Sequence, residues 1–170
     1  MILPKIRDKR LILIRRGGLL TEEHHKLLAI WAADCSSHVL DLFETECPSD
    51  YRPRQAIDLA YKWAKGLATV TEAKIGAYHA NIAARSLKGS AKYAAYSAGQ
   101  AVAVAHVAAH NLGAAAYAIR AVMCIPDTNV EETKKEEYYW QINKLPNDIK
   151  ELVIEDERNR NSICWNVFLV

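Results

Sequence analysis

AKYAAYSAGQAVAVAHVAAHNLGAAAYAIRA, residues 91–121, decides how the chain folds. Fourteen of these 31 residues are alanine, and none is proline or acidic. Alanine has the highest intrinsic helix propensity, so the stretch reads as helix with one break. The break is expected at Asn111-Leu112-Gly113, where asparagine can open a new helix. The stretch is apolar on every side, and such a helix is normally buried within a bundle. Two histidines, His106 and His110, stand four residues apart in its middle and so share one helix face.

Working outward, the segments before and after it also read as helices. Residues 1–20 are expected to be extended, with RLILIRR (10–16) as a short strand and Gly17-Gly18 as a turn. Thr21 followed by Glu22 and Glu23 signals a helix start, predicting a helix over residues 22–44. Pro53 suits the first turn of a second helix, which Gly66 ends near Lys65. Thr69 or Thr71 opens a third, running to about Leu87. Ser90 is a candidate cap for the Ala-rich helix. Beyond Pro126-Asp127-Thr128, two further helices are expected over residues 129–144 and from Pro146 to about Arg158. The tail ICWNVFLV (163–170) is apolar and should pack on the body. The expectation is an all-α fold. One domain spans residues 1–170, with six or seven helices around the Ala-rich centre.

Composition limits the function classes. The chain is 51% hydrophobic and 25% charged, ordinary for a soluble globular protein. Residues 1–123 carry 16 basic against 10 acidic side chains, and residues 124–170 carry 6 against 10. The basic residues are scattered without interleaved aromatics, which argues against nucleic-acid binding. The apolar run Leu11–Ile14 is too short for a signal-peptide core, and no segment has the ~20 apolar residues of a membrane span. Cys35, Cys47, Cys124 and Cys164 show no CxxC spacing, which excludes a zinc ribbon or thioredoxin-type motif. A cytoplasmic protein with reduced thiols is expected.

Several side chains could carry chemistry. Asp34 and His38 have i, i+4 spacing beside Trp31 and Cys35, so the carboxylate can accept from the imidazole and raise its basicity. The alternative is a plain surface pair. His106 and His110 have the spacing of two metal ligands, but Val107 stands where a zinc protease carries glutamate. A metal site would draw further ligands from His79, His38, Asp34 or a cysteine. A polar ligand pocket, or hydrogen bonds inside the bundle, are the other readings. Arg52 and Arg54 lie at a helix N-terminus, where the helix dipole disfavours cations. Asp58 can compensate Arg54; otherwise an acid on another helix or on a partner does. Glu131, Glu132, Glu136, Glu137, Glu155, Asp156 and Glu157 form acidic runs, read either as solvated faces or as a surface that steers a basic partner. No GxSxG, GxxxxGK[ST] or GxGxxG motif occurs, and no cofactor is implied, which weighs against an enzyme.

Three strings carry a family likeness: IRRGGLLTEEHHKLLAIWAADCSSHVLDLFE (14–44), DYRPRQAIDLAYKWAKG (50–66) and AGQAVAVAHVAAHNLGAAAYAIRA (98–121). LPNDIKELV (145–153) extends it. From about Arg7 to Arg158 the chain resembles the Imm-5-like immunity proteins of bacterial polymorphic toxin systems. That resemblance implies a cytoplasmic binding protein that neutralises a cognate protein toxin by stoichiometric occlusion. It assigns no catalytic or contact residue. The basic first part departs from the acidic character common among inhibitors of nuclease toxins, which weighs against a nuclease target unless residues 127–157 make the contact. Two other readings stand beside it. One is a helical metal- or small-ligand-binding protein or enzyme using Asp34, His38, His79, His106 and His110. The other is a homo-oligomeric structural module.

Overall fold

The computed structural model describes residues 2–170, and among these there are eight α-helices and no strand. They are α1 (Glu22–His38), α2 (Asp41–Glu44), α3 (Arg52–Ala64), α4 (Val70–Arg85), α5 (Gly89–Ala103), α6 (Asn111–Val122), α7 (Val130–Lys144) and α8 (Asn147–Arg160).

Several helix ends follow directly from local chemistry. The Thr21 hydroxyl accepts from the His24 N–H at 3.1 Å, ahead of two acids that complement the dipole of α1. At α4 the capping box is complete. Thr69 Oγ1 accepts from the Glu72 N–H at 3.2 Å, and the Glu72 carboxylate accepts from the Thr69 N–H at 2.7 Å. Pro53 sits in the first turn of α3, and Gly66 follows that helix at φ 74°, a left-handed conformation that glycine adopts without strain.

α5 is the hub. Its buried residues are Ala91, Ala94, Ala95, Ser97, Ala98, Gly99, Ala101, Val102 and Ala103. With such short side chains the neighbouring backbones come close on several sides. α1, α3, α4 and α6 all pack on it. The Ser97 hydroxyl donates to the Ala114 carbonyl of α6 at 2.8 Å and lies 2.7 Å from the Ser36 hydroxyl of α1. α7 packs mainly on α6, and α8 is laid against α1 and α6.

The Ala-rich stretch breaks earlier than its sequence suggests. α5 stops at Ala103, Val107 is extended at φ −144°, and a 3₁₀ turn covers Ala108–His110 before α6 begins. His25 of α1 takes the Val104 carbonyl, 2.6 Å from its Nε2, and occupies an acceptor that a continuing helix would use. Asn111 opens α6 but does not cap it; its Nδ2 donates to the Ala108 carbonyl at 2.8 Å. Ser90 is likewise not a cap. α5 is preceded by Lys88, and Ser90 Oγ is buried without a partner.

Two other expectations are corrected. RLILIRR is not a strand. It forms 3₁₀ turns at Lys9–Leu11 and Ile14–Arg16, with a single bridge between Leu13 and Leu20. Its alternation buries Leu11 and Leu13 against the bundle without a sheet. A Cβ at Gly18 would lie 1.9 Å from the Ile12 carbonyl oxygen, so the fold-back needs glycine there. The first helix also stops at His38 rather than reaching Glu44. A turn at Val39-Leu40 lets Val39, Leu40 and Phe43 all reach the interior. In the tail, Cys164, Val167 and Phe168 are buried and Leu169 is exposed. Trp165, at φ 56°, lays its ring on the Arg120 guanidinium, 4.3 Å from the centroid. No helix among the described residues is long and apolar enough to cross a membrane.

Candidate functional site

A groove of about 320 Å³ opens where α1, α3 and α7 meet, lined by Asp34, Ser37, His38, Tyr61, Trp140 and Lys144. α1 presents Asp34 and His38 one turn apart, but they do not bond to each other as their spacing suggests. The Tyr61 hydroxyl of α3 donates to Asp34 Oδ1 at 2.6 Å. His38 turns to α7, where its Nδ1–H donates to Glu137 Oε2 at 2.7 Å. Its ring stacks on Trp140, 3.7 Å between centroids and 3° from parallel. Glu137 is 3% exposed and also accepts from Gln141 Nε2 at 2.8 Å. Burial raises the Glu137 carboxyl above its ordinary value, against the pull of Gln141 and His38. Burial together with the Asp34 carboxylate pushes the Tyr61 phenol up, so it stays a hydrogen-bond donor.

The chemistry of this groove is that of a positioned imidazole. Glu137 accepts from Nδ1 and so orients the ring, which leaves Nε2 of the half-exposed His38 open to a further partner. On the far side of the His38–Trp140 stack lies a second hollow of about 280 Å³, lined by Val122, Ile125, Thr133 and Glu136 among others. Tyr61, Trp140 and Lys144 were not singled out from sequence. Trp140 and Lys144 carry an i, i+4 signal on α7, but Tyr61 meets Asp34 only through the fold.

The remaining candidates separate. Trp31 is fully buried and belongs to the core, where its Nε1–H donates to the Gln141 carbonyl at 2.9 Å. His79 is exposed on α4 beside Tyr78. His106 and His110 remain neighbours, 5.1 Å between ring centroids, though the chain between them is not one helical turn. His110 Nδ1–H donates to Gln100 Oε1 at 2.8 Å, and burial lowers its pKa to about 4. Among the described residues, no three or more His, Cys, Asp or Glu side chains gather into a set that could hold a metal ion. Of these candidates, Asp34 and His38 line the groove, His106 and His110 adjoin each other, and His79 is exposed on α4. Arg52 pairs with Asp50 at 2.5 Å, and Arg54 is bidentate to Glu44 of α2 at 2.5 and 2.6 Å. The acid bonded to Arg54 is thus Glu44 on another helix, and Asp58 adds only a longer-range attraction.

The acidic surface also needs correction. Glu131, Glu132 and Glu136 are exposed on α7, and Glu155 pairs with Arg10 at 2.5 Å. Glu137, Asp156 and Glu157 are inside, at 3%, 4% and 3% exposure. Asp156 forms a buried ion pair with Arg160, one turn on, which opposes the rise that burial imposes on its pKa. Arg160 also donates to the carbonyls of Ala109 at 3.0 Å and Ile2 at 3.3 Å.

Glu157 accepts only from the Tyr138 hydroxyl, at 3.3 Å, and burial pushes its pKa up from 4.5 to about 8. The folded state therefore holds this proton more tightly than the unfolded chain. Stability from Glu157 is fully present below about 4.5 and is lost as pH rises to about 8. Glu157→Gln is expected to flatten that fall. Urea midpoints measured across this pH range check it, and an unchanged slope would place the titration elsewhere.

A model of one protein family matches residues 18–148, about three quarters of the chain, from the glycine turn through the first residues of α8. It takes in α1 to α7 and every residue lining the groove. No curated protein and no solved structure matches the chain. By that match, the chain belongs to the family described as Imm-5 like putative immunity protein.

Proposed function

We propose that the protein is an immunity protein that neutralises a partner toxin by stoichiometric binding, without turnover. The family match over residues 18–148 carries this reading. The geometry supports a contact face centred on the groove between α1, α3 and α7. Tyr61, His38 and Trp140 supply large, half-exposed rings held rigid by stacking and hydrogen bonds, the residue types that dominate interface energetics. Glu136 lines the hollow beyond the His38–Trp140 stack, and with the exposed Glu131 and Glu132 earlier on α7 it gives an acidic edge that steers a basic partner.

Trp140→Ala is expected to weaken the toxin complex by about 2 kcal/mol or more, roughly thirtyfold in Kd. Lysines in place of Glu132 and Glu136 are expected to slow association and weaken its salt dependence. Calorimetry and stopped-flow mixing with a candidate cognate toxin check both. A toxin that binds the variants as it binds the parent would move the interface off this face. A toxin that does not bind the parent would overturn the immunity reading itself.

A further inference from the structure

A second cavity, separate from the groove, lies where the N-terminal segment crosses α1 and the break between α5 and α6. Its volume is about 30 Å³, and Arg7, Leu13, Arg16, His25 and His106 are among the residues that line it. A water needs about 10–15 Å³ by this measure, so the space holds about two water-sized atoms. The polar side chains on its wall are two guanidinium and two imidazole groups. No carboxylate lines it. Arg7 and Arg16 are exposed, and among the described residues neither has an ion-pair partner. His25 is 3% exposed, and its Nε2 is committed to the Val104 carbonyl. Its Nδ1 is buried with no partner, and so is the Nδ1 of His106. A buried ring nitrogen without a partner forfeits the hydrogen bond it makes in water, and two such rings among the residues lining one cavity mark a place that a further polar group would complete.

We propose that this cavity binds a carboxylate group, held by Arg7 and Arg16 on the solvent side and by His25 and His106 within. Two oxygens match the two water-sized positions, and a planar carboxylate suits bidentate guanidinium contact. Neutral His25 has its hydrogen on Nε2, so its Nδ1 must gain a proton to donate to the ligand. His106 can donate from Nδ1 as a neutral tautomer. Binding therefore takes up a proton at His25, whose charged neighbours are Arg15, Arg16 and Glu22. His106 is faced by Lys74, Arg7 and Arg16, with His110 beside it. Only Glu22 in these sets is acidic, which leaves the site short of negative charge. This inference does not depend on the immunity reading.

The test uses the full chain and two probes at constant ionic strength set by chloride. One is acetate, and the other is an end-blocked tripeptide with a single aspartate. Imidazole NMR resonances report the binding. Acetate is expected to move the His25 and His106 resonances saturably, leave exposed His79 in place, and bind more weakly as pH rises from about 6 to about 8. The double variant Arg7→Ala, Arg16→Ala is expected to bind about tenfold more weakly or worse. Both substitutions are at exposed positions, so the folded chain is retained for comparison. If the peptide binds as well, the carboxylate is one displayed on a polypeptide. If acetate binds and the peptide does not, it is a free small acid. No saturable shift with either probe would mean that the cavity holds water alone. An arginine double variant that binds like the parent, or equal shifts with chloride alone, would equally overturn the assignment.

Discussion

Arg160→Ala is expected to destabilise the fold by about 3–5 kcal/mol, because it strands Asp156 as a buried, uncompensated charge. Both members of the pair are 4% exposed, so water cannot take over the role of the guanidinium. The substitution also removes the donor to the Ala109 and Ile2 carbonyls. Urea denaturation near neutral pH checks the magnitude. A companion variant, Arg160→Met with Asp156→Leu, removes both charges and fills their volume. It is expected to recover most of the loss, since a buried ion pair is often no more stabilising than an apolar pair of similar size. A single variant that costs less than about 1 kcal/mol would mean that Asp156 takes up a proton and sits there neutral.

Trp31→Ala is the other large effect, also about 3–5 kcal/mol, from lost burial and the cavity left behind. Trp31 is at 0% exposure, and its indole links α1 to the backbone of α7 through the Gln141 carbonyl. For a chain of this length the change corresponds to a fall in melting temperature on the order of ten degrees. Trp31→Phe keeps most of the apolar contact and loses the indole donor, so it is expected to cost about 1–3 kcal/mol. Thermal melts of the two variants separate packing from the hydrogen bond. Equal losses in both would assign the whole effect to the indole N–H.

What the sequence conveyed clearly was whatever local chemistry controls. Thr21, Pro53, Gly66 and Thr69 mark their helix ends through groups only a few residues away, and the alanine content of residues 91–121 announces a buried centre. The break after Ala103 has a cause 79 positions away, at His25, and no local pattern reveals it. The same holds for the groove. Asp34 and His38 look like partners by spacing, yet each finds a stronger one across the fold, Tyr61 and Glu137. Glu137, Asp156 and Glu157 read as surface because acids usually are. They go inside where His38 and Arg160 meet two of them, and Glu157 goes inside without a cation.

The contacts that fasten the N-terminal segment have a consequence for synthesis. Ile2 is held by Arg160, and Arg10 by Glu155, so this segment is secured by residues made more than 140 positions later. The α4–α5 and α5–α6 neighbours follow one another in sequence and can pair as they leave the ribosome. Residues 2–20 cannot be locked in that way. At translation rates of about 5–20 residues per second they wait on the order of ten seconds for α8. During that interval the apolar side chains of Leu11, Leu13 and Leu20 lack their final clasp, and a chaperone that recognises short apolar segments has its clearest opportunity there.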